Sequence, residues 1–293
     1  MPGINETKER IIDSLRAKAA SHQTTAKNHT IQIPKNRKQR LCLFAHYSSD
    51  NTVCAYVYHL IQSLSQSGCD VLFISAGRSL NTEDQQKIKA NCIGLICRKN
   101  IGYDFGSWKT AIEYYPNMTQ DYQSIIFTND SIYGPIHKIS PLIDKVESLF
   151  DVWSLTSSHE RNFHLQSYFW GVTSKAIQCG FFDSFWQKHY RYYSLRNRVI
   201  TKYELQIARI AKDKYFLNVG SAIDPLEYSS NTRDLRKINP THHLGYELIT
   251  RHKFPFIKRE LLDRNPLNIE SKHLIEKYLQ TEHPHYWALI SKN

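Results

Sequence analysis

The sequence predicts an α/β fold, in which a mostly parallel β-sheet is flanked by helices. Short apolar runs of strand length alternate with segments whose apolar residues have helical spacing, and turn or cap residues separate them. This alternation is typical of βαβ units, and the strands of such units run parallel. The predicted strands are, in chain order, Leu41–Ala45, Cys69–Ser75, Ile93–Cys97, Ser124–Thr128, Asp151–Thr156 and Tyr168–Val172.

The helices between these strands are predicted from spacing and from residues that favour helix ends. The first has apolar residues at helical spacing from Val53 to Leu64, with Asp50 and Asn51 able to cap its start and Gly68 at its end. Further helices are predicted to begin at Thr82, Trp108 and Pro141.

We expect the chain to have three parts. A basic N-terminal helix and linker takes residues 1–39, the main α/β domain takes residues 40–265, and a C-terminal helical extension takes residues 266–293. The second half of the chain is also expected to contain a basic helical segment, residues 194–214, and its last seventy residues alternate short helices with prolines.

The chain carries a strong positive charge. Its 293 residues include 38 Lys and Arg against 27 Asp and Glu, which gives a net charge of +11. Such a charge favours a polyanionic partner, and nucleic acid, an anionic membrane surface and phosphorylated small substrates all fit. The hydrophobic content of 41% excludes a wholly disordered chain.

Two features concern membranes. No apolar run is long enough to cross a bilayer and no apolar stretch follows the first ten residues, so we expect a cytoplasmic protein. Ile4, Ile11, Ile12 and Leu15 have the spacing of a narrow apolar stripe on a helix, and the basic run 35–40 follows. This segment is interpreted either as a solvated tail or as a peripheral contact with the inner face of the cell membrane.

Several common sites are absent from the sequence. The six cysteines have no CxxC or zinc-finger spacing and mostly lie in apolar runs, which indicates structural packing. No GxGxxG or GxxxxGK[ST] pattern occurs, so the usual dinucleotide and P-loop fingerprints are missing. No GxSxG or HExxH pattern occurs, which removes the common hydrolase and zinc-protease interpretations.

Ligands of a parallel sheet bind beyond the carboxyl ends of its strands, so the polar loops there are the candidate site. After the strand Ser124–Thr128 comes Asn129-Asp130-Ser131, where the Asp130 carboxylate could hold a divalent cation and the cation could hold a diphosphate. The alternative is an Asx-turn, because Asn, Asp and Ser all bond locally to the backbone.

A second loop follows the strand Ile93–Cys97. Its glycines, Gly102 and Gly106, flank Asp104 and could let the backbone come close to a ligand. Asp104 could accept hydrogen bonds from a ribose or a base, while Arg98 and Lys99 suit a phosphate.

At this point the chain resembles the rhamnan-synthesis F family of bacterial polysaccharide glycosyltransferases, over roughly residues 40–265. The segments that carry the resemblance are Leu43–Tyr47, Asn100–Trp108, Phe127–Pro135 and His164–Phe169, with weaker likeness at Tyr203–Leu205 and Pro255–Leu261.

The resemblance implies a GT-A type enzyme, a single Rossmann-like domain that uses a nucleotide-diphosphate sugar. Such enzymes usually hold a divalent cation, Mg²⁺ or Mn²⁺, with an Asp-x-Asp motif, whereas this chain has one carboxylate there, Asp130. That residue could still bind the metal with help from phosphates and water, or basic side chains could replace the metal. The donor-binding residues expected from the matching segments are His46, Tyr47, Arg98, Asn100, Gly102, Asp104, Asn129 and Asp130.

Sugar transfer with inversion needs one base to deprotonate the acceptor hydroxyl. The candidates are His159, Glu160 and Glu204, although a helix-start Glu or a lone His can equally be structural. Gln166 and Tyr168 are expected to shape the sugar or acceptor pocket, and packing alone is the alternative for Tyr168.

The expected function is transfer of a sugar to a growing bacterial surface polysaccharide of O-antigen or capsule type, with a lipid-linked glycan as acceptor. The family name suggests rhamnose. The densest positive segment, residues 188–214, suits the phosphates of such an acceptor and an anionic membrane, and a solvated helix face is the plain alternative.

Two other classes of function stay open. One is a catalytically inactive module that binds a sugar nucleotide. The other is a nucleic-acid-binding α/β protein. The sequence has no helix-turn-helix, RNP-type or zinc signature, so no nucleic acid is expected as a partner.

Overall fold

The computed structural model describes residues 4–20, 26–77, 79–188, 191–225 and 238–291. Its strands are β1 (Ala26–Ile31), β2 (Arg40–Ser48), β3 (Cys69–Gly77), β4 (Gly94–Arg98), β5 (Ser124–Asn129), β6 (Ile132–Tyr133), β7 (Val152–Ser158), β8 (His164–Leu165), β9 (Phe169–Thr173), β10 (Val219–Ile223) and β11 (Ile257–Lys258).

The helices of the first two thirds of the chain are α1 (Ile4–Ala20), α2 (Ala55–Gln66), α3 (Thr82–Asn91), α4 (Tyr103–Tyr114), α5 (Met118–Asp121), α6 (Ser140–Leu149), α7 (Ser174–Gln178), α8 (Phe181–Asp183), α9 (Arg196–Val199) and α10 (Leu205–Tyr215). Two π-helical turns, Ser184–Lys188 and Ile200–Glu204, adjoin them. The later helices are α11 (Pro240–His243), α12 (Gly245–Arg251), α13 (Arg259–Asp263), α14 (Lys272–Glu282) and α15 (Pro284–Ile290).

The main sheet confirms the predicted architecture. Its strand order is β1-β4-β3-β2-β5-β9-β7-β10, with β8 paired to β7 at the side. The neighbours β4-β3-β2-β5 are all parallel, and so are β7 and β10. Strand β9 runs antiparallel between β5 and β7, and β1 runs antiparallel on β4. The carboxyl ends of β4, β5 and β7 therefore meet at one edge of the sheet.

All six predicted strands are present, and the structure adds three strands to the main sheet that the apolar pattern did not indicate, namely β1, β10 and the two-residue β8. The edge strand β1 lies inside the segment interpreted as a linker, and its sequence is mostly polar because its residues from Asn28 onward are exposed or half-buried. Strand β10 is the other edge, where Gly220 and Ser221 interrupt the apolar run.

The start of α2 differs from the prediction. Its N-cap is Cys54, without a side-chain cap, and Asn51 has a left-handed φ of 61°. The Asp84 carboxylate instead accepts a hydrogen bond from Val53 N at 3.0 Å. Asp50 and Asn51 therefore do not cap this helix, because the chain needs three more residues to turn away from β2.

The core has two parts, one on each face of the sheet, because successive residues of a strand point to opposite sides. Phe44 and Phe73 stack at 5.2 Å on one face, and Phe127 and Trp170 stack at 4.2 Å on the other. Ile275, which is fully buried in α14, belongs to the first of these parts. The helices after residue 266 thus pack into the same core as the strands.

The N-terminal helix α1 contacts the rest of the protein through Asp13, which is buried. Its carboxylate accepts from Ser194 N at 2.8 Å and lies 3.6 Å from Arg198 Nε. The predicted apolar stripe lies elsewhere on the helix, and Ile12 and Leu15 are 47% and 64% exposed. Among the described helices, none is long and apolar enough to cross a membrane.

Candidate functional site

A cavity of about 880 Å³ opens at the carboxyl edge of the sheet, beyond β4, β5 and β7. Its lining brings opposite charges together. Carboxylates of Asp104, Glu160 and Glu204 share it with the cationic side chains of Arg196, Lys258 and Arg259.

The structure brings part of the predicted site to this cavity. The predicted residues that line it are Asp104, Asn129, Glu160, Gln166, Tyr168 and Glu204. The predicted residues that lie outside its lining are His46, Tyr47, Arg98, Asn100, Gly102, Asp130 and His159. Both Asp104 and Asp130 were expected to bind the donor, and of these two only Asp104 lines the cavity.

The loop after β4 is shorter than predicted, because α4 already begins at Tyr103. Gly102 takes the left-handed conformation, φ 81°, at the start of that helix. A side chain on Gly106 would run into the Ile101 carbonyl oxygen. Arg98 is fully buried beneath this turn and donates to Ser107 Oγ at 3.2 Å and to Ile101 O at 2.5 Å. The glycines thus serve the close packing of α4, and Arg98 does not reach the cavity.

Asp104 stands in the first turn of α4 and faces the end of β5. Its Oδ2 accepts from Asn129 Nδ2 at 2.7 Å, while Asn129 Oδ1 accepts from Ser131 N at 3.1 Å and from Ser131 Oγ at 2.6 Å. Asn129 therefore closes the Asx-turn that was the alternative interpretation of this loop. Burial raises the pKa of Asp104 to about 6.

Asp130 points to the other side of the loop. Its Oδ2 accepts from Tyr47 N at 3.1 Å and lies 4.0 Å from both His46 Nε2 and Arg259 Nη1. Burial raises the pKa of Asp130 to about 7, and the charge of Arg259 opposes that shift. Burial also lowers the pKa of His46 to about 4, so His46 is a neutral neighbour.

Lys258 and Arg259 are the site residues that the sequence analysis missed. Strand β11 pairs antiparallel with β6, and Lys258 lies opposite Ile132. Arg259 N donates to Ser131 O at 3.0 Å, which ties the start of α13 to the loop after β5. The only sequence signal was the weak likeness at Pro255–Leu261, because the pairing spans more than one hundred residues of chain.

The three candidate bases occupy different surroundings. Glu204 ends the second π-helical turn, and its Oε1 accepts from Ser167 N at 3.3 Å. Glu160 N donates to Ser158 Oγ at 3.2 Å, which sets its backbone at the end of β7. His159 Nε2 lies 3.1 Å from Asp224 Oδ1, outside the cavity lining.

Gln166 and Tyr168 line the cavity and belong to one hydrogen-bonded network. Thr156 Oγ1 lies 2.7 Å from Gln166 Oε1 and 2.5 Å from the Tyr168 hydroxyl, and Gln166 Nε2 donates to Asn239 Oδ1 at 3.0 Å. Lys258 Nζ lies 4.1 Å from the centre of the Tyr168 ring. These polar groups are largely committed to one another, so both residues shape the cavity through a fixed geometry.

A divalent cation fits this loop poorly. The carboxylate of Asp130 is already compensated by the Arg259 guanidinium, and Asn129 Oδ1 is taken by Ser131. In the described ranges, no group of three or more His, Cys, Asp or Glu side chains is arranged to hold a metal. Hard cations need several oxygen ligands turned to one point.

Comparison with known proteins adds the following. Residues 71–292 match the profile of the family described as rhamnan synthesis protein F. The match begins and ends later than the resemblance over residues 40–265, and it includes residues 266–292 of the C-terminal extension.

Two relatives and one solved structure are similar to the chain. Virulence protein VirA of Vibrio anguillarum is 27% identical over 259 residues, 78% of this chain and 81% of that protein. The uncharacterized protein y4gN of Sinorhizobium fredii is 32% identical over 154 residues, and the aligned part covers 51% of this chain but only 40% of y4gN. The Pyrobaculum calidifontis mannosyltransferase PcManGT, in complex with GDP-Man and Mn²⁺, is 8% identical with a TM-score of 0.39, covering 98% of this chain and 81% of that one. A structural likeness this low carries no argument about the chemistry of this chain.

Proposed function

Because the chain belongs to the rhamnan synthesis protein F family, we propose that it is a glycosyltransferase that moves a sugar from a nucleotide-diphosphate sugar to a glycan acceptor. The observation that supports this most is the cavity at the carboxyl edge, which is lined by both carboxylates and cations. A parallel sheet binds its ligands at this edge, and a volume of about 880 Å³ suits a ligand of that size.

The reaction has two electrostatic requirements. The leaving diphosphate gains negative charge and needs positive groups, while the acceptor hydroxyl loses its proton to a base as it attacks. Arg196, Lys258 and Arg259 could meet the first requirement, and Glu160 or Glu204 the second.

We take Glu204 as the base. Its carboxylate lines the cavity, and the Ser167 amide orients one of its oxygens. π-Helical turns are frequent at functional sites, since they turn a side chain out of the regular helix pattern. His159 is the weaker candidate because its ring bonds to Asp224 outside the cavity. A single base is what an inverting displacement requires.

The donor nucleotide is proposed to contact Asp104 and Asn129. These two side chains share a hydrogen bond of 2.7 Å, which holds the Asp104 carboxylate at the mouth of β5. A carboxylate in that position accepts from ribose hydroxyls or a base amide. The family name favours rhamnose as the sugar.

A lipid-linked acceptor of a bacterial surface polysaccharide, of O-antigen or capsule type, is the proposed second substrate. Its support is α1, where exposed Ile12 and Leu15 accompany the basic Lys8, Arg10 and Arg16. An apolar and basic helix of this kind can lie on an anionic membrane, where such acceptors reside.

Turnover with a panel of sugar nucleotides tests the proposal. Release of the nucleoside diphosphate is followed by chromatography with UDP-, GDP- and dTDP-linked sugars, with and without a synthetic polyprenyl-linked glycan. Acceptor-dependent release of one diphosphate, lost in Glu204→Gln, is the expected result. Binding of a sugar nucleotide without any turnover would instead indicate an inactive binding module.

A further inference from the structure

We propose that Lys258 and Arg259 bind the donor diphosphate in place of a divalent cation, and that Asp130 is the positioning residue for Arg259. This inference rests on the proposed function and concerns how its leaving group is stabilised. It assigns a role to two residues that share one strand–helix junction, from β11 to α13.

The Asp130 carboxylate lies beside the Arg259 guanidinium. Its Oδ2 accepts from Tyr47 N at 3.1 Å and lies 4.0 Å from Arg259 Nη1, on the side of the loop away from the cavity. A carboxylate held in this way supports the neighbouring guanidinium, and Asp130 itself is not part of the cavity lining.

The second step concerns the Arg259 guanidinium. Its Nη1 donates to Asp130 O at 3.2 Å and to the Tyr56 hydroxyl at 2.5 Å, and its Nε lies 3.5 Å from Asp263 Oδ2. Within the described parts of the chain, no group accepts from Nη2. Two of the three guanidinium nitrogens, Nη1 and Nε, thus have partners, while the side chain lines the cavity and is 37% exposed. The Nη2 donors of a guanidinium held in this way can be offered to phosphate oxygens.

The third step concerns Lys258. Its Nζ lies 4.1 Å from the centre of the Tyr168 ring, and no described carboxylate lies within ion-pair distance of it. Lys258 is therefore a cation that is held in place by an aromatic face and is available to a ligand. Because Lys258 precedes Arg259 directly, both charges reach the cavity from one short rigid segment.

The placement of these two cations relative to the sheet is also fixed. Lys258 pairs with Ile132, and Arg259 N donates to Ser131 O at 3.0 Å, so the junction is bonded to the loop that follows β5. This loop is where the metal-binding motif was expected. Lys258 and Arg259 thus supply positive charge next to the loop after β5, where a metal ion was expected.

The bond between the anomeric carbon and the diphosphate oxygen breaks, and its electron pair stays on the diphosphate, which Lys258 and Arg259 stabilise. The acceptor oxygen forms the new bond to the anomeric carbon, and its proton goes to Glu204.

Calorimetry on the full chain tests this proposal apart from turnover. UDP, GDP and dTDP are each titrated into the protein, once in buffer with EDTA and once in buffer with Mn²⁺. The nucleoside diphosphate that binds most tightly is then titrated into the variants. We expect binding in EDTA, with an affinity that Mn²⁺ changes by less than about threefold. Lys258→Met and Arg259→Gln should each weaken binding by about tenfold or more, and Arg259→Lys should weaken it less. Arg251→Gln is the matched control and should bind like the wild type, because this side chain is 76% exposed and pairs with Glu247 at i,i+4.

Comparing the Asp130→Asn variant in the two buffers distinguishes a positioning role of Asp130 from a metal-binding role. If Asp130 positions Arg259, Asp130→Asn weakens binding by the same factor in EDTA and in Mn²⁺. If it is a metal ligand, the loss appears only in Mn²⁺, and the proposal is overturned. Binding that requires Mn²⁺, or wild-type affinity in a folded Lys258→Met variant, would also overturn it while leaving the glycosyltransferase proposal intact. Failure of all three diphosphates to bind in either buffer would overturn both proposals.

Discussion

Replacing Glu204 with glutamine tests the transfer step directly. Glu204 lines the cavity at the end of a π-helical turn and accepts a hydrogen bond from Ser167 N at 3.3 Å. Glutamine keeps the volume and one oxygen acceptor, so this hydrogen bond can persist. It cannot take a proton from an acceptor hydroxyl, which removes the proposed chemical role and little else.

The size of the effect follows from these contacts. A general base contributes about 10²–10⁴-fold to a rate, which corresponds to about 3 to 5 kcal/mol in activation free energy. The free energy of unfolding should change by less than about 1 kcal/mol, because one long hydrogen bond to a partly exposed group is retained. Donor affinity should change by less than about threefold, since Lys258 and Arg259 remain.

The assay is acceptor-dependent release of the nucleoside diphosphate at saturating donor, together with a thermal melt. Glu247→Gln, an exposed glutamate paired with Arg251 on α12, is the matched control and should keep full activity. Parallel variants at His159 and Glu160 decide among the three candidate bases. A folded Glu204→Gln enzyme with near wild-type kcat, or a larger loss in either parallel variant, would refute the assignment.

Three further predictions concern pH, packing and membrane contact. Burial lowers the pKa of Lys258 to about 8, so its charge is present below that pH, and diphosphate affinity should fall by up to about tenfold per pH unit above it. Titration of Lys258→Arg by calorimetry should remove this dependence, and an unchanged slope would contradict it. Gly106→Ala should lower the free energy of unfolding by about 1–3 kcal/mol, because its Cβ would meet the Ile101 carbonyl oxygen. An unchanged midpoint of urea denaturation would contradict this packing. Ile12→Ser with Leu15→Ser should weaken binding to vesicles containing anionic lipid by about tenfold, with no loss in melting temperature, whereas equal sedimentation of variant and wild type would exclude this face as the contact.

The parallel sheet could be predicted from the sequence because its central strands are buried on both faces. Such strands must be short continuous apolar runs, as Leu41–Ala45 is, and helical spacing between them leaves few other arrangements. The two edge strands β1 and β10 could not be predicted in the same way, because β1 is exposed or half-buried from Asn28 onward and the apolar run of β10 is interrupted by Gly220 and Ser221.

The loops that surround the cavity were also determined locally, since polar residues at strand ends meet at one edge of a parallel sheet. Asp104, which follows β4, and Asn129, which ends β5, line the cavity. The direction of each side chain within a loop was not determined locally. Asn129 faces Asp104, whereas the adjacent Asp130 faces Arg259, and consecutive loop residues differ in this respect only through their distant partners.

Only the tertiary structure placed Lys258 and Arg259 in the site. The weak family likeness at Pro255–Leu261 assigns these residues no ligand, and their position depends on the pairing of β11 with β6 across the chain. The sequence by itself thus determined which strands form the centre of the sheet and which edge carries the polar loops, because burial on both faces and the alternation with helices follow from local pattern. The charges that meet in the cavity were decided by contacts between residues far apart in the chain, which no local pattern encodes.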